Sequence, residues 1–310
     1  MAVEEILPPA AAESPPGRVT PTGRRGRSFA TLGLVSAPVG YLIVFFLIPV
    51  IMIGIYSFGG ISGLVPIDIP YWTTKLWREF LSSSVYMGLF WKAVWTSLGV
   101  SITCLLLSYP IAYFLAHVAG ARKYTFLLVI LAPFLTSYLL RVFAWRVLLN
   151  PQGVIQSALR GVGLLGENST ISWLYNSRFA VYLVLVYVWV PFVALPIFVS
   201  LENLDLRLLE ASNDLGASRW RTFWKVTFPL SIPGVIAAFI FVFIPTLGEY
   251  VTPLLVGGKS GYMFGNAIQS QFVQGFDWQF GSAMAMFLVL VVGVLIVIFG
   301  RYLNPSAVAE

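Results

Sequence analysis

Residues able to do acid–base or ligand chemistry are scarce in this chain, which holds one histidine, His117, and one cysteine, Cys104. Zinc sites and Ser-His dyads need paired or triadic groups, so metal-assisted and nucleophilic catalysis are not expected, and no metal site is predicted. A Gly-Lys-Ser triplet stands at 258–260. A phosphate-cradling loop needs a further glycine at 253, where the sequence has Pro253. What remains is a pair of opposite charges set in apolar surroundings, Arg141 and Glu249, with Tyr138, Phe143, Trp145 and Tyr250 close by in sequence. Two readings stand: a structural ion pair, or a polar path on which Glu249 attracts a cationic amine and the aromatic faces supply cation–π surfaces.

The elements that must position these residues are apolar. The chain is 58% hydrophobic and 10% charged, with mean hydropathy +0.84, too little polar residue for a soluble surface. A helix crosses a hydrocarbon core of roughly 30 Å with about 20 apolar residues. Six runs meet that length: Leu32–Phe58, Phe90–Val118, Tyr124–Leu149, Phe179–Leu201, Leu230–Val256 and Phe280–Tyr302. The expected fold is therefore all-α, an integral membrane bundle over 30–304. An Arg near a helix centre costs roughly 2.5–3.5 kcal/mol on insertion scales, so Arg141 is expected to face protein or water. Pro49, Pro110, Pro133, Pro196 and Pro245 fall inside spans and predict kinks.

Orientation follows from Lys and Arg near span ends. Arg18, Arg24, Arg25 and Arg27, then Arg122 and Lys123, then Arg207, Arg219, Arg221 and Lys225, and finally Arg301 share one side if the spans alternate. Both termini are thus expected to be cytoplasmic. Residues 1–29, rich in Pro and Ala, read as a disordered basic cytoplasmic tail, and 305–310 is expected to be a short cytoplasmic tail. Arg24-Arg25 before an apolar run invites comparison with a twin-arginine signal, but the run is much longer than a signal peptide's and is read as a span. On the far side, Val154, Ile155, Leu159 and Val162 give the long 150–176 loop an amphipathic pattern.

The cytoplasmic segment 202–229 is polar where its neighbours are not. "LDLRLLEASNDL" and "SRWRTFWKVTF" read as two short helices, broken at Gly216, with Ser218 as N-cap of the second and Pro229 stopping it. Trp220, Phe223 and Trp224 share one face of that second helix and are expected to tie it to the chain's own helix ends.

Glu210-Ala211-Ser212, Gly216, then Val226, Thr227, Phe228 and Pro229 resemble the Glu-Ala-Ala, Gly, Ile-x-Leu-Pro signature of the membrane subunits of bacterial ATP-driven (ABC) importers. Ser212, Val226 and Phe228 depart from it but are similar in size or polarity to the signature residues, while Gly216 and Pro229 match. "LLRVFAW" and "FIPTLGEYVTPLLVGG" resemble the spermidine/putrescine importer permeases, over about Leu32 to Leu303. The resemblance implies a permease without catalytic residues of its own, in the bacterial inner membrane. It implies that the loop couples to two copies of an ATPase subunit, which holds the ATP and Mg. It further implies a second, homologous permease subunit in a heterodimer, a periplasmic or lipid-anchored solute-binding protein, surrounding lipid and no nucleic acid. The solute implied is a small cationic amine such as spermidine or putrescine, with an opine or 4-aminobutyrate as the alternative. A secondary-transporter half would need an internal inverted repeat, and none is evident.

Overall fold

The computed structural model describes residues 36, 38–60, 71–166 and 169–303. The tails expected at 1–29 and 305–310 lie outside the described residues. The chain divides into two units, 1–52 and 53–310. Helix α1, Pro38–Phe58, contains a π-turn at Ile43–Leu47, where the Ile48 N–H reaches the Ile43 carbonyl just ahead of Pro49. It is followed by a two-residue pairing of Gly59–Gly60 (β1) with Tyr71–Trp72 (β2).

The remaining α-helices among the described residues are α2 Lys75–Ser82, α3 Ser84–His117, α4 Lys123–Leu131, α5 Tyr138–Leu149, α6 Val154–Gly161, α7 Arg178–Glu202, α8 Leu206–Asp214, α9 Arg219–Leu247, α10 Phe264–Val273 and α11 Trp278–Leu303. Among the described residues, five helices are long and apolar enough to cross a membrane, namely α1, α3, α7, α9 and α11.

The third expected span is sharply bent, and counts as a sixth span if its two halves are taken together. Its two halves, Gly120–Leu135 and Tyr138–Gly161, meet at an 83° bend. Pro133 lies in a 3-10 turn, Ala132–Leu135, and Thr136 is extended, so the ladder of backbone bonds stops there. Pro110, Pro196 and Pro245 by contrast sit inside helices that continue past them.

The core forms where α3, α7 and α9 meet. One face of α3 carries small residues, Ala93, Ser97, Ser101, Cys104, Ser108 and Ala112, all fully buried. Small side chains let backbones approach, and their hydroxyls bond across helices. Ser108 Oγ donates to the Val190 carbonyl at 2.7 Å and Cys104 Sγ to Val186 at 3.7 Å, while the Tyr182 hydroxyl donates to the Gly99 carbonyl at 2.9 Å. Tyr109 and Ser231 join α3 to α9 at 2.9 Å. Where α9 crosses α7, a Cβ on Gly234 would stand 2.4 Å from Ser200 Cβ and 2.8 Å from the Pro196 carbonyl. Phe80, Phe90, Phe264 and Phe287 fasten α2, α10 and α11 to the same core, with ring centroids 5.0–6.3 Å apart.

Candidate functional site

The polar segment folds as two helices around a glycine hinge. Asp205 caps α8, its side chain accepting the Arg207 N–H at 3.0 Å. At the other end Gly216 has φ +72°, the Gly216 N–H bonds to the Asn213 carbonyl at 2.9 Å and the Ala217 N–H to the Ser212 carbonyl at 3.1 Å. That pair of bonds is a Schellman motif, which consumes the helix's last carbonyls and requires a left-handed residue. Ser218 caps α9 by accepting the Arg221 N–H at 3.4 Å. Ser212 bonds to Thr222, a buried hydroxyl, at 2.9 Å. The serine that departs from the importer signature thus staples the two helices together.

Pro229 does not stop the second helix. A π-turn at Phe223–Thr227, with the Phe228 N–H reaching the Phe223 carbonyl, precedes it. The proline ring would otherwise meet the Lys225 carbonyl of a regular turn. The wider turn displaces that carbonyl, and α9 runs unbroken from the loop into the membrane. The loop's second helix and the following span are therefore one continuous helix.

The three aromatic residues also part company. Phe223 packs edge-on against Tyr109 and Tyr113 of α3, at 5.7 and 5.9 Å. Trp220 and Trp224 stay exposed, with Trp220 at 71%. The expectation that all three tie the loop to the chain's own helix ends thus holds for Phe223 alone: the tryptophans point away from α3. Together with exposed Leu206, Leu208 and Leu215 they leave the loop an uncovered apolar surface, set among Arg207, Arg219, Arg221 and Lys225.

At the other candidate site, the Glu249 carboxylate is engaged by backbone. Its Oε1 accepts the N–H groups of Val251 and Thr252 at 2.8 and 3.0 Å. Tyr138 and Thr252 share a hydrogen bond of 2.6 Å, and Asn266 donates to the Tyr250 carbonyl at 2.8 Å. Gly265 allows α10 this close, since a Cβ there would lie 2.5 Å from the Gly248 carbonyl. Arg141 instead sits over the Phe134 ring at 4.4 Å and near Tyr138 at 6.0 Å. The ion pair with Glu249 is not formed: among the described residues the salt bridge found is Lys123–Glu202, at 2.5 Å. The 83° bend turns Arg141 toward Phe134 at the break, and Glu249 is occupied in closing its own turn. Two buried guanidinium nitrogens of Arg141, Nε and Nη1, have no acceptor among the described residues.

An all-α membrane bundle whose polar loop continues into a core helix is the arrangement in hand. The family described as binding-protein-dependent transport system inner membrane component matches residues 110–308, from the C-terminal part of α3 through α11. The chain belongs to this family. The permease resembles the spermidine/putrescine transport system permease protein PotB of Haemophilus influenzae, at 33% identity over 269 residues, covering 84% of this chain and 90% of that one. PotB of Escherichia coli K12 is 31% identical over 268 residues, covering 86% and 96%. Among solved structures, a bacterial ABC transporter involved in the import of the acidic polysaccharide alginate superposes with a TM-score of 0.69 at 16% identity, over 89% of this chain and 95% of that one. The last is a likeness of fold. The permease is the membrane-embedded transport subunit of an ABC importer, in a family that works with an ATPase and a substrate-binding protein.

The structure places the sequence-selected residues unevenly. Glu210, Ala211, Ser212 and Gly216 lie together at the end of α8, with Val226 and Pro229 on the helix that follows. Tyr138 meets the 249–252 turn through Thr252 and Arg141 stays over Phe134, whereas Trp145 packs against Tyr187 at 5.3 Å and Phe143 and Tyr250 are exposed. Sequence reasoning missed three braces. Glu202 accepts from Tyr124 at 2.9 Å besides pairing with Lys123, tying α4 to the entrance of the loop. Asn266 fixes the Glu249 turn. Gln156, fully buried, donates to the Leu149 carbonyl at 3.4 Å and accepts the Ile171 N–H at 3.1 Å, pinning the 150–176 loop. A buried amide among apolar neighbours has no periodic signature, so only its isolation in "VIQSAL" marks it.

Proposed function

We propose that this permease imports a small cationic amine of the spermidine or putrescine kind, by alternating access driven from the loop at 202–229. The observation that supports the coupling half is the helical continuity of that loop with α9, beside an uncovered apolar surface bearing Trp220 and Trp224. An ATPase subunit seats that surface, with Glu210, Ala211, Ser212 and Gly216 at the contact and Val226 and Pro229 on α9. ATP and Mg belong to that subunit, present in two copies. A homologous second permease completes the pathway as a heterodimer, and a periplasmic or lipid-anchored binding protein delivers solute. Both termini and the loop face the cytoplasm of a bacterial inner membrane. ATP-driven closure moves both loops together, and only their different contacts in the two ATPase states drive the change. The polyamine reading is supported by the two PotB relatives.

On the path side, Glu249 shapes the turn that presents the exposed ring of Tyr250, and Phe143 adds a second aromatic face for an amine. Arg141 favours the second reading. A guanidinium with free donors on aromatic faces suits a solute that also bears a carboxylate, such as an opine or 4-aminobutyrate. ATPase activity of the reconstituted complex with its binding protein separates them, across putrescine, spermidine, 4-aminobutyrate and an opine, alongside Gly216→Asp. Polyamine stimulation that vanishes in the variant is expected. Stimulation by a carboxylate-bearing solute alone overturns the polyamine reading, and activity indifferent to Gly216→Asp overturns the coupling reading.

A further inference from the structure

Opposite the coupling loop, the ends of α3 and α7 bring two cations together. Cys104 bonds to Val186 and Ser108 to Val190, both 82 positions apart, so the two helices run parallel in a fixed register. That register puts Arg178 level with Thr96. Thr96 Oγ1 donates to the Lys92 carbonyl at 2.7 Å, which places Lys92 one turn farther out. The Lys92 ammonium donates to the Ser260 carbonyl at 2.5 Å and stands within electrostatic range of Arg178. Neither cation has a carboxylate partner, since the salt bridge found among the described residues is at the other end of α7.

Between these helices lies an open groove of 390 Å³, lined by Trp95, Thr96, Arg178, Phe179 and Tyr182. Its rim is cationic and its walls are apolar. Trp91 and Trp95 are 57% and 63% exposed one turn apart on α3, and Phe179 is exposed beside them. Indole and phenol rings settle where hydrocarbon meets headgroup. Two uncompensated cations at that level need an anion whose other end is apolar.

We propose that this groove binds an anionic phospholipid, its phosphate held by Arg178 and Lys92 and its upper acyl chain laid along Trp95, Phe179 and Tyr182. Arg178 supplies the planar fork for two phosphate oxygens. Lys92 adds a second charge through donors left after its bond to Ser260. The lipid neutralises a like-charge pair and holds α3, α7 and the 258–262 turn at one level, the part of the bundle away from the loop. An acidic protein surface fits the charges but not the apolar walls one turn below Lys92.

Native mass spectrometry of the detergent-purified importer complex tests this, with phosphatidylglycerol and phosphatidylcholine of identical chains added in turn. Phosphatidylglycerol is expected to remain bound at least about tenfold more than phosphatidylcholine. Arg178→Gln should bring the two near parity, Arg178→Lys should keep much of the preference, and Arg146→Gln, an exposed cation elsewhere, should leave it intact. Should Arg178→Gln fail to fold, brominated phosphatidylglycerol should quench emission from the wild type more than from Trp95→Phe, which lacks the indole in the groove. Equal retention of the two lipids, an undiminished preference in Arg178→Gln, or no Trp95-dependent quenching overturns the proposal. So does a loss of affinity for the binding protein in Arg178→Gln with lipid retention unchanged, which assigns the cations to a protein surface.

Discussion

Gly216 offers the sharpest test of how the loop is held. Its φ of +72° lies in the left-handed region, and a Cβ there would meet no atom within 4 Å. A side chain therefore has room, and the cost of substitution is the backbone conformation alone. For alanine that cost is about 1–2 kcal/mol, a factor of about 5–30 in the population of the native turn. Asparagine visits the same region readily and should lose much less, while valine, β-branched, should lose more. A turn that relaxes to negative φ gives up the two bonds from Gly216 and Ala217 to Asn213 and Ser212. Hydrogen exchange of those two amides in the assembled complex reads the turn directly. Exchange in Gly216→Ala should rise by about 5–30-fold, in Gly216→Asn far less, and solute-stimulated ATPase activity should fall in the same order. If Gly216→Ala protects its amides like the wild type, or Gly216→Asn behaves worse than Gly216→Ala, the conformational account is refuted. A steric seat for the glycine on the partner surface would then be the better explanation.

Gly234→Ala puts a methyl 2.4 Å from Ser200 Cβ and 2.8 Å from the Pro196 carbonyl, so α7 and α9 must separate. Overpacking of this kind costs about 1–3 kcal/mol, and the melting temperature in detergent should fall, whereas Gly293→Ala, with nothing within 4 Å, should not change it. Phe223→Ala removes the contact with Tyr109 and Tyr113 and should lower both thermal stability and coupling. Trp220→Ala, at an exposed position, should leave the melting temperature unchanged and weaken ATPase-subunit binding in a pull-down; an unchanged pull-down would count against the apolar surface as the docking face. Asn266→Ala frees the Tyr250 carbonyl and the Met263 N–H in a fully buried site, a loss of about 1–3 kcal/mol. It should lower transport more than Phe143→Leu does, as measured by uptake into proteoliposomes.

Much of the loop was legible before any coordinates. Gly216 as the break and Ser218 as the cap depend on a handful of neighbouring residues, and both stand where local backbone chemistry puts them. The Arg141–Glu249 pairing was a different kind of inference. It was one of two readings of opposite charges in apolar surroundings, and the 83° break beside Pro133 is sharper than a kink within a continuing helix. Nothing in "APFLTSY" distinguishes a kinked helix from a broken one, because neighbouring elements decide whether freed carbonyls find partners. Pro229 was misread for a related reason. A proline predicts a stop only if the preceding turn is regular, and a π-turn is a property of how α9 packs.

The sequence by itself determined the all-α class, the apolar runs, the polar loop and its hinge, because composition, periodicity and a left-handed glycine act over a few residues. Which face of each helix is covered was settled only by tertiary structure. The small-residue face of α3 became the seam for α7, Phe223 turned inward while Trp220 stayed out, Glu249 closed its own turn, and Lys92 reached the Ser260 carbonyl. Each outcome depends on the rotation and register of helices distant in sequence. Those quantities are fixed by packing across the bundle, and no local pattern encodes them.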